Sequence, residues 1–446
     1  MTAGRQESRS TSAVSSVPAA NHGAPGMTVQ KYGGSSLSTI DQIRQVARVV
    51  GETHRSGKPT VVVVSARGRT TDDLLRLAAA TGRERTGRER TGRETDQLLG
   101  TGEVASAALL AIALQDIGVP AVSLTGAQAG IRAAGRPGSG VIADIDTRRL
   151  RRVLAEGNVA VVAGFQGVDD SGDVLTLGRG GSDTTAVALA AALRTTVCEI
   201  CTDVAGVATA DPRVVADARL LPTVDVAVMA EMSFAGARVL HPRAVELAAR
   251  NRVELQVRNS ARIGPGTIIP ASSDEDLLES RRTVLAIAHD LDVAGVLIRC
   301  EPRSADLAAD ILEVLSAHAV PVDLVTRSGP HEDEFTMGFT IPRKGSDDVF
   351  SAVAEALSGL GTTIHVDKNV GKLSLIGMGL LNHPEYTARM ISALGGAGIS
   401  ISWLWTSQIR TSVLIPLDRV ASAVQLLHNE FQLGRDDLDP VSAASA

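Results

Sequence analysis

Two short stretches carry residue types that could handle a phosphate. Residues 29–37 read VQKYGGSSL: an apolar start, then Lys31 and Tyr32, the pair Gly33 and Gly34, and the hydroxyls of Ser35 and Ser36. Residues 177–183 read LGRGGSD, with Arg179 ahead of Gly180 and Gly181 and with Ser182 and Asp183 behind them. Glycines lack a Cβ, so the backbone can turn tightly and an anion can come close to its N–H groups. A helix that starts at such a turn adds the positive end of its dipole. Lys31 would bring a mobile point charge, and Arg179 a planar fork suited to carboxylate or phosphate. The two cradles would place two cations and four glycines around one polyphosphate. Neither is a Walker A loop, where the lysine follows the glycines. The structural alternatives are a tight strand-to-helix turn with a surface lysine, and a helix merely capped by Ser182 and Asp183.

The surrounding residues predict the elements that position these groups. After the first stretch, Ile40, Ile43, Val46, Ala47 and Val50 recur at helical spacing. Residues 61–65 (VVVVS), 119–124, 159–164 (VAVVAG) and 196–202 are short apolar runs of the kind found in buried strands. Residues 104–114, 183–193, 224–232 and 243–251 read as helices. Strands alternating with helices predict an α/β domain over 27–270, built on an open, largely parallel sheet sandwiched by helices. Residues 1–26, rich in Ser, Ala, Gly and Pro, predict a disordered extension. Residues 81–95 repeat a TGRER unit and predict a solvated insertion. Residues 271–282 are polar and acidic, a linker, and over 283–440 a βαββαβ-like pattern occurs twice, predicting two small α+β modules.

Composition narrows the class. With 44% hydrophobic but only 2% aromatic residues, the core must be Val, Leu, Ile and Ala. A net charge of −6 without a long basic block argues against nucleic acid as main partner. No uninterrupted apolar run reaches the roughly 18 residues of a membrane span. Three cysteines and no apolar leader predict a cytoplasmic, reducing location. Cys198 and Cys201 spell CxxC, but on a strand residues three apart face opposite sides and no second pair completes a metal site.

Residues 202–213 read TDVAGVATADPR, setting Thr202, Asp203, Asp211 and Arg213 in a loop after a strand. A bland turn would use the same residue types. Residues 236–242 read GARVLHP, with Arg238, Val239 and a histidine, His241, read as structural. Ser65 and Thr71 stand in SARGRTTD, and Glu103 in TGE. Singly these are ordinary strand-end and helix-start residues. In this order, and followed by twin modules, the motifs closely resemble those of aspartate kinases, an amino-acid-kinase catalytic domain with tandem ACT domains. Ala208 departs from the pattern, standing where the family usually has tyrosine, and Arg238 replaces a lysine.

The resemblance implies transfer of a phosphoryl group from ATP to the side chain of L-aspartate. That carboxylate ionises with a pKa of about 3.9, so no general base is needed and catalysis is positioning plus charge stabilisation. By the same resemblance, Lys31 neutralises the transferring group, Arg179 clamps the α-carboxylate, Glu103 receives the ammonium, and Asp183 organises Lys31 and substrate. Ser65 and Thr71 lie on the substrate side. Tyr32, Gly33, Gly34, Ser35, Gly180, Gly181, Ser182, Thr202, Asp203, Ala208, Asp211, Arg213, Arg238 and Val239 fall on the nucleotide side. Mg²⁺ would ride mostly on ATP and water, with no dedicated protein site. The resemblance also implies a homo-oligomer joined through the ACT domains. Lysine or threonine feedback is expected to be weak or lost, because Cys300, Arg303, Arg327 and Ser328 replace the family's effector loop and its Gln-Asn pair. Another amino-acid kinase and a non-catalytic amino-acid sensor are the open alternatives.

Overall fold

The computed structural model describes residues 26–81, 92–261, 264–271, 283–300, 307–318, 320–328, 335–358 and 361–435. The expected N-terminal extension, most of the TGRER repeat, most of the linker, and Arg303 lie outside the described residues.

The valine runs form the middle of a seven-stranded sheet. Its order is Thr267–Ile269, Glu254–Asn259, Val197–Thr202, Thr28–Tyr32, Thr60–Val64, Val159–Ala163, Ala121–Leu124. Every pairing is parallel except the one to the edge strand Thr267–Ile269. Val61, Val62, Val63 and Val64 are 0% exposed, because helices cover both faces. Burying one such side chain stabilises the fold by about 1.5–3 kcal/mol. One face packs on Gly181–Leu193, Val226–Ala235 and Pro242–Asn251; the other packs on Ile40–Arg55 and Arg93–Asp116.

Strand alternation sorts the residues between these faces. Val29 and Cys198 join the first core, Tyr32 and Cys201 the second. The two cysteines of the CxxC thus sit on opposite faces, both free and buried. Ile40, read as a core position, is half exposed, because Thr39 caps the helix by accepting from the Gln42 N–H and leaves Ile40 at the outer first turn. The helix expected over 104–114 is the later half of Arg93–Asp116. By length and composition this helix could cross a membrane, but Ala107, Leu110, Ala111 and Leu114 are buried in the second core.

The two C-terminal modules are nested, not consecutive. The strand Val284–Asp290 comes first in the chain but pairs with Val370–Gly377 in the sheet of the second module. That sheet runs Val284–Asp290, Val370–Gly377, Arg410–Pro416, Trp403–Thr406. The first module is inserted after its opening strand, with the order Asp323–Ser328, Phe335–Ile341, Ala294–Cys300, Thr363–Asp367. Sequence patterning missed Val284–Asp290 and Thr363–Asp367. It also missed a small sheet in the catalytic domain: Val141–Ile145, Ile131–Ala134, Gln166–Val168, Val174–Thr176.

Candidate active site

The carboxyl ends of the parallel strands hold the residues of interest. Lys31 is two positions beyond Val29 on the same face, so it points toward the helix Gly181–Leu193, whose first turn carries Asp183. Lys31 Nζ and Asp183 Oδ1 are 2.6 Å apart, each side chain 12% exposed. The lysine expected to be mobile is therefore oriented before any ligand arrives. Tyr32 points the other way and is fully buried. Burial pushes its hydroxyl well above the usual phenol range. Its ring cannot line a nucleotide site, and only its backbone takes part, the carbonyl accepting from the Ser65 N–H at 3.1 Å.

The first glycine turn differs from expectation. It leads into the 3₁₀ turn Gly34–Leu37 and only then into the helix Ile40–Arg55. A Cβ on Gly34 would come 2.4 Å from the Ala66 carbonyl, and Gly68 N–H donates to the Gly34 carbonyl at 2.9 Å. Gly34 is demanded by the neighbouring loop, while Gly33 keeps the open side next to Lys31 Nζ. Ser35 follows at the start of that turn.

The second turn is the better cradle. Gly178 and Gly180 have φ of +72° and +68°, which a side chain would strain. No side chain caps the helix that begins at Gly181; the Gly181 N–H donates to the Gly178 carbonyl at 3.0 Å, and the N–H groups that follow it in the first turn stand at the positive end of the helix dipole. Ser182 instead packs against Gly164, where a Cβ would meet its Oγ at 2.9 Å. Arg179 is exposed, near enough for its charge to act on His241. His241 lies against Gly180, where a Cβ would fall 2.0 Å from the imidazole Cγ. Burial holds this imidazole below its usual range, so it is neutral at pH 7 and shapes the turn, as its structural reading required.

Glu103 faces inward from the helix Arg93–Asp116 and is 3% exposed. Gly102 lets this helix press on the loop after Val64, since a Cβ there would meet the Ala66 Cβ at 2.9 Å. The Ala66 N–H donates to Glu103 Oε1 at 3.0 Å, while Oε2 is buried without a partner. Burial raises its pKa to about 7 against that hydrogen bond. Ala66 thus joins Glu103 to the Gly34 turn, a contact no sequence motif announced. Ser65 and Thr71 flank the same loop, half-buried.

On the far side, Thr202 ends its strand and its hydroxyl donates to Asp203 at 3.1 Å. Asp211 and Arg213 hold each other at 2.8 Å, and the Arg213 N–H also donates to Asp211. Ala208 is half-buried and bridges Leu220 through backbone. Arg238 is exposed and 3.8 Å from Asp290 of the regulatory region, with Val239 packed on the first core. The structure therefore draws Lys31, Asp183, Gly180, Gly181 and Ser182 together, with Glu103 behind the 65–68 loop. It leaves Asp211 and Arg213 paired to one another. In the first regulatory module, Cys300 is buried at a strand end, Arg327 lies 5.5 Å over the Phe335 ring, and Ser328 closes its strand.

The amino acid kinase family model matches residues 26–259, and an ACT domain model matches residues 373–431. Fold and site together define an amino acid kinase joined to ACT-type modules. The aspartokinases of Mycolicibacterium smegmatis and Corynebacterium glutamicum are 44% and 41% identical, each over 92% of this chain and 97% of theirs. The structure of E. coli aspartokinase III in complex with aspartate and ADP (R-state) aligns with a TM-score of 0.75 at 25% identity, covering 91% of this chain and 99% of that one. The chain belongs to the aspartokinase family.

Proposed function

We propose that the protein transfers the γ-phosphoryl group of ATP to the side-chain carboxylate of L-aspartate, giving ADP and 4-phospho-L-aspartate, which opens the route to lysine, threonine and methionine. The observation that carries this reading is the buried, unpartnered Oε2 of Glu103. A lone carboxylate oxygen inside a kinase site fits a ligand ammonium. An N-acetylated amino acid offers no charge there and would leave the oxygen unpaired.

In this mechanism a substrate carboxylate oxygen attacks the γ-phosphorus while the bond to ADP breaks. Both reactants are anions, so the chain must hold positive charge where they meet. Lys31 supplies it, fixed by Asp183. Arg179 binds the substrate α-carboxylate, with Ser65 and Thr71 beside it. The turn at Gly180, Gly181 and Ser182 cradles the phosphates at the helix N-terminus, with Gly33 and Ser35 on the opposite turn. Thr202, Asp203, Ala208, Asp211, Arg213, Arg238 and Val239 flank the nucleoside. A Mg²⁺ carried in on ATP would screen phosphate charge.

The three buried cysteines form no disulfide, which suits a reducing cytoplasm. The edge strands Asp323–Ser328 and Trp403–Thr406 expose Val325 and Leu404, and pairing of such edges supports a homo-oligomer through the ACT modules. The test of function is ADP release with aspartate, glutamate and N-acetylglutamate. Turnover should be confined to aspartate; preference for either rival overturns the reading, and turnover with none of them would make the chain a sensor.

A further inference from the structure

Two charges outside the described site, the buried Asp96 and the half-buried Arg243, converge on the turn that carries Arg179. Asp96 lies seven residues before Glu103 on the same buried face of Arg93–Asp116 and is 0% exposed. Its Oδ2 accepts from the Thr176 N–H at 2.7 Å and the Gly138 N–H at 2.9 Å, and its Oδ1 accepts from the Thr176 hydroxyl at 3.0 Å. Among the described residues no cation pairs with it. From the other side, Arg243 donates through Nη1 to the Leu177 carbonyl at 2.7 Å and through Nη2 to the Gly140 carbonyl at 3.0 Å. Gly140 N–H in turn donates to the Thr176 carbonyl at 2.8 Å. The residues immediately before Arg179 are thus bonded to a carboxylate on one helix and a guanidinium on another. Among the described residues neither charge is used for an ion pair.

A third contact completes the frame. Leu177 N–H donates to the carbonyl of Phe165, a non-glycine residue held at φ +67°. A backbone kept in that region, with Phe165 N–H donating to Thr185 Oγ1 at 3.2 Å, marks a place the surrounding structure over-determines. The helix Gly181–Leu193 has its own anchor, because the Thr185 hydroxyl donates to the Gly181 carbonyl at 2.7 Å. Loosening residues 176 and 177 would therefore displace Arg179 more than the helix held by Thr185.

We propose that Asp96 and Arg243 are positioning residues that set the turn carrying Arg179 and so govern the binding of the substrate's α-carboxylate, an inference resting on the role given to Arg179 above. A misplacement of about 1 Å at such a clamp costs on the order of a hundredfold.

The test uses the full chain and steady-state kinetics in both substrates. Asp96→Ala should raise KM for aspartate about tenfold or more while KM for ATP stays within about twofold. Asp96→Asn should recover most of this, since its amide oxygen accepts the two N–H bonds and its NH₂ can donate to Thr176. Arg243→Lys keeps the charge but cannot span both carbonyls, and should also raise KM for aspartate. It stands in should Asp96→Ala fail to fold. In Arg179→Ala, adding Asp96→Ala or Arg243→Lys should cost no more than about twofold further. Full additivity in that background, or equal rises in both KM values, overturns the proposal. So does an aspartate KM unmoved in the soluble Asp96 and Arg243 variants while Arg179→Ala raises it. Arg179→Ala with an unchanged aspartate KM overturns the role of Arg179 itself, and the proposal with it.

Discussion

Asp323 of the first regulatory sheet and Arg410 of the second form a two-pronged ion pair, at 2.9 and 3.1 Å. Arg410 Nε also lies 3.2 Å from Glu231, on the catalytic-domain helix Val226–Ala235. Lys372, 3% exposed, reaches both Asp323 and the Phe234 carbonyl. One charge network therefore ties both modules to the catalytic domain. It meets Leu324, a non-glycine residue at φ +55°. Burial works to raise the Asp323 pKa, but Lys372 and Arg410 outweigh it and bring it down to about 2.

Removing one partner leaves the others uncompensated. Asp323→Ala should destabilise the protein by about 2–4 kcal/mol. The sign follows from the lowered pKa: the contribution is complete above the unfolded value of 3.8 and is lost as pH falls toward 2. Thermal melts should show a constant gap between wild type and variant above pH 5 that narrows below pH 4. A gap that widens in acid would contradict this.

Lys31 and Asp183 predict a loss of turnover. Their side chains are each only 12% exposed, so each variant is first checked for folding by its melt and then read on turnover. Lys31→Ala and Asp183→Ala should each lower kcat about a hundredfold or more. Near-normal turnover in either folded variant would remove it from the mechanism.

Glu103 predicts a pH effect of the opposite sign from Asp323. Burial raises its pKa to about 7, so the empty site favours the protonated acid. Receiving an ammonium requires the ionised form. KM for aspartate should therefore rise as pH drops below 7, while KM for ATP holds steady. A raised folded pKa stabilises below the unfolded value near 4.5 and is lost as pH climbs through 7. Glu103→Gln should accordingly melt at or above wild type at pH 8 while failing to bind aspartate. Calorimetry with aspartate decides it: retained binding in that variant would sink the ammonium role.

Much of this was legible because strand alternation is rigid. Lys31 on the face of the helix that carries Asp183 and the two cysteines on opposite faces follow from a period of two, and the same period turns Tyr32, placed on the nucleotide side by resemblance, into the opposite core. What stayed hidden depends on contacts between distant segments. Gly34 reads as a phosphate glycine, but only the fold shows the Ala66 carbonyl against it. Val284–Asp290 went unread as a strand, and its partner Val370–Gly377 lies beyond the whole first module, a choice no local pattern encodes. Asp96 carries a faint signal, an acid on the apolar face of a helix one heptad from Glu103.

Ala208 predicts a gain. It sits half-buried in the loop between Thr202 and Arg213, with its backbone fixed by Leu220. A ring there could stack on the nucleoside for about 0.5–1.5 kcal/mol. Ala208→Tyr should lower KM for ATP about two- to tenfold. An unchanged or higher value would show that the site does not need the ring.

Feedback by lysine or threonine should be weak. An amino-acid effector needs a surface that both donates to its carboxylate and accepts from its ammonium. Arg327 can only donate, and its guanidinium is already engaged over the Phe335 ring. Cys300, at the end of the first strand, is buried and offers a poor acceptor. Glu385, at the corresponding loop of the second module, is bonded to His383 at 2.9 Å. None of these side chains stands open for both ends of a zwitterion. Titrating lysine and threonine into the kinase assay, singly and together, should leave more than about half the activity at millimolar effector, the range of very weak sites. Strong inhibition at sub-millimolar concentration would show that a pocket survives in spite of these residues. Arg327→Gln would then be the variant to compare, since restoring an amide there should tighten inhibition only if Arg327 was the obstacle.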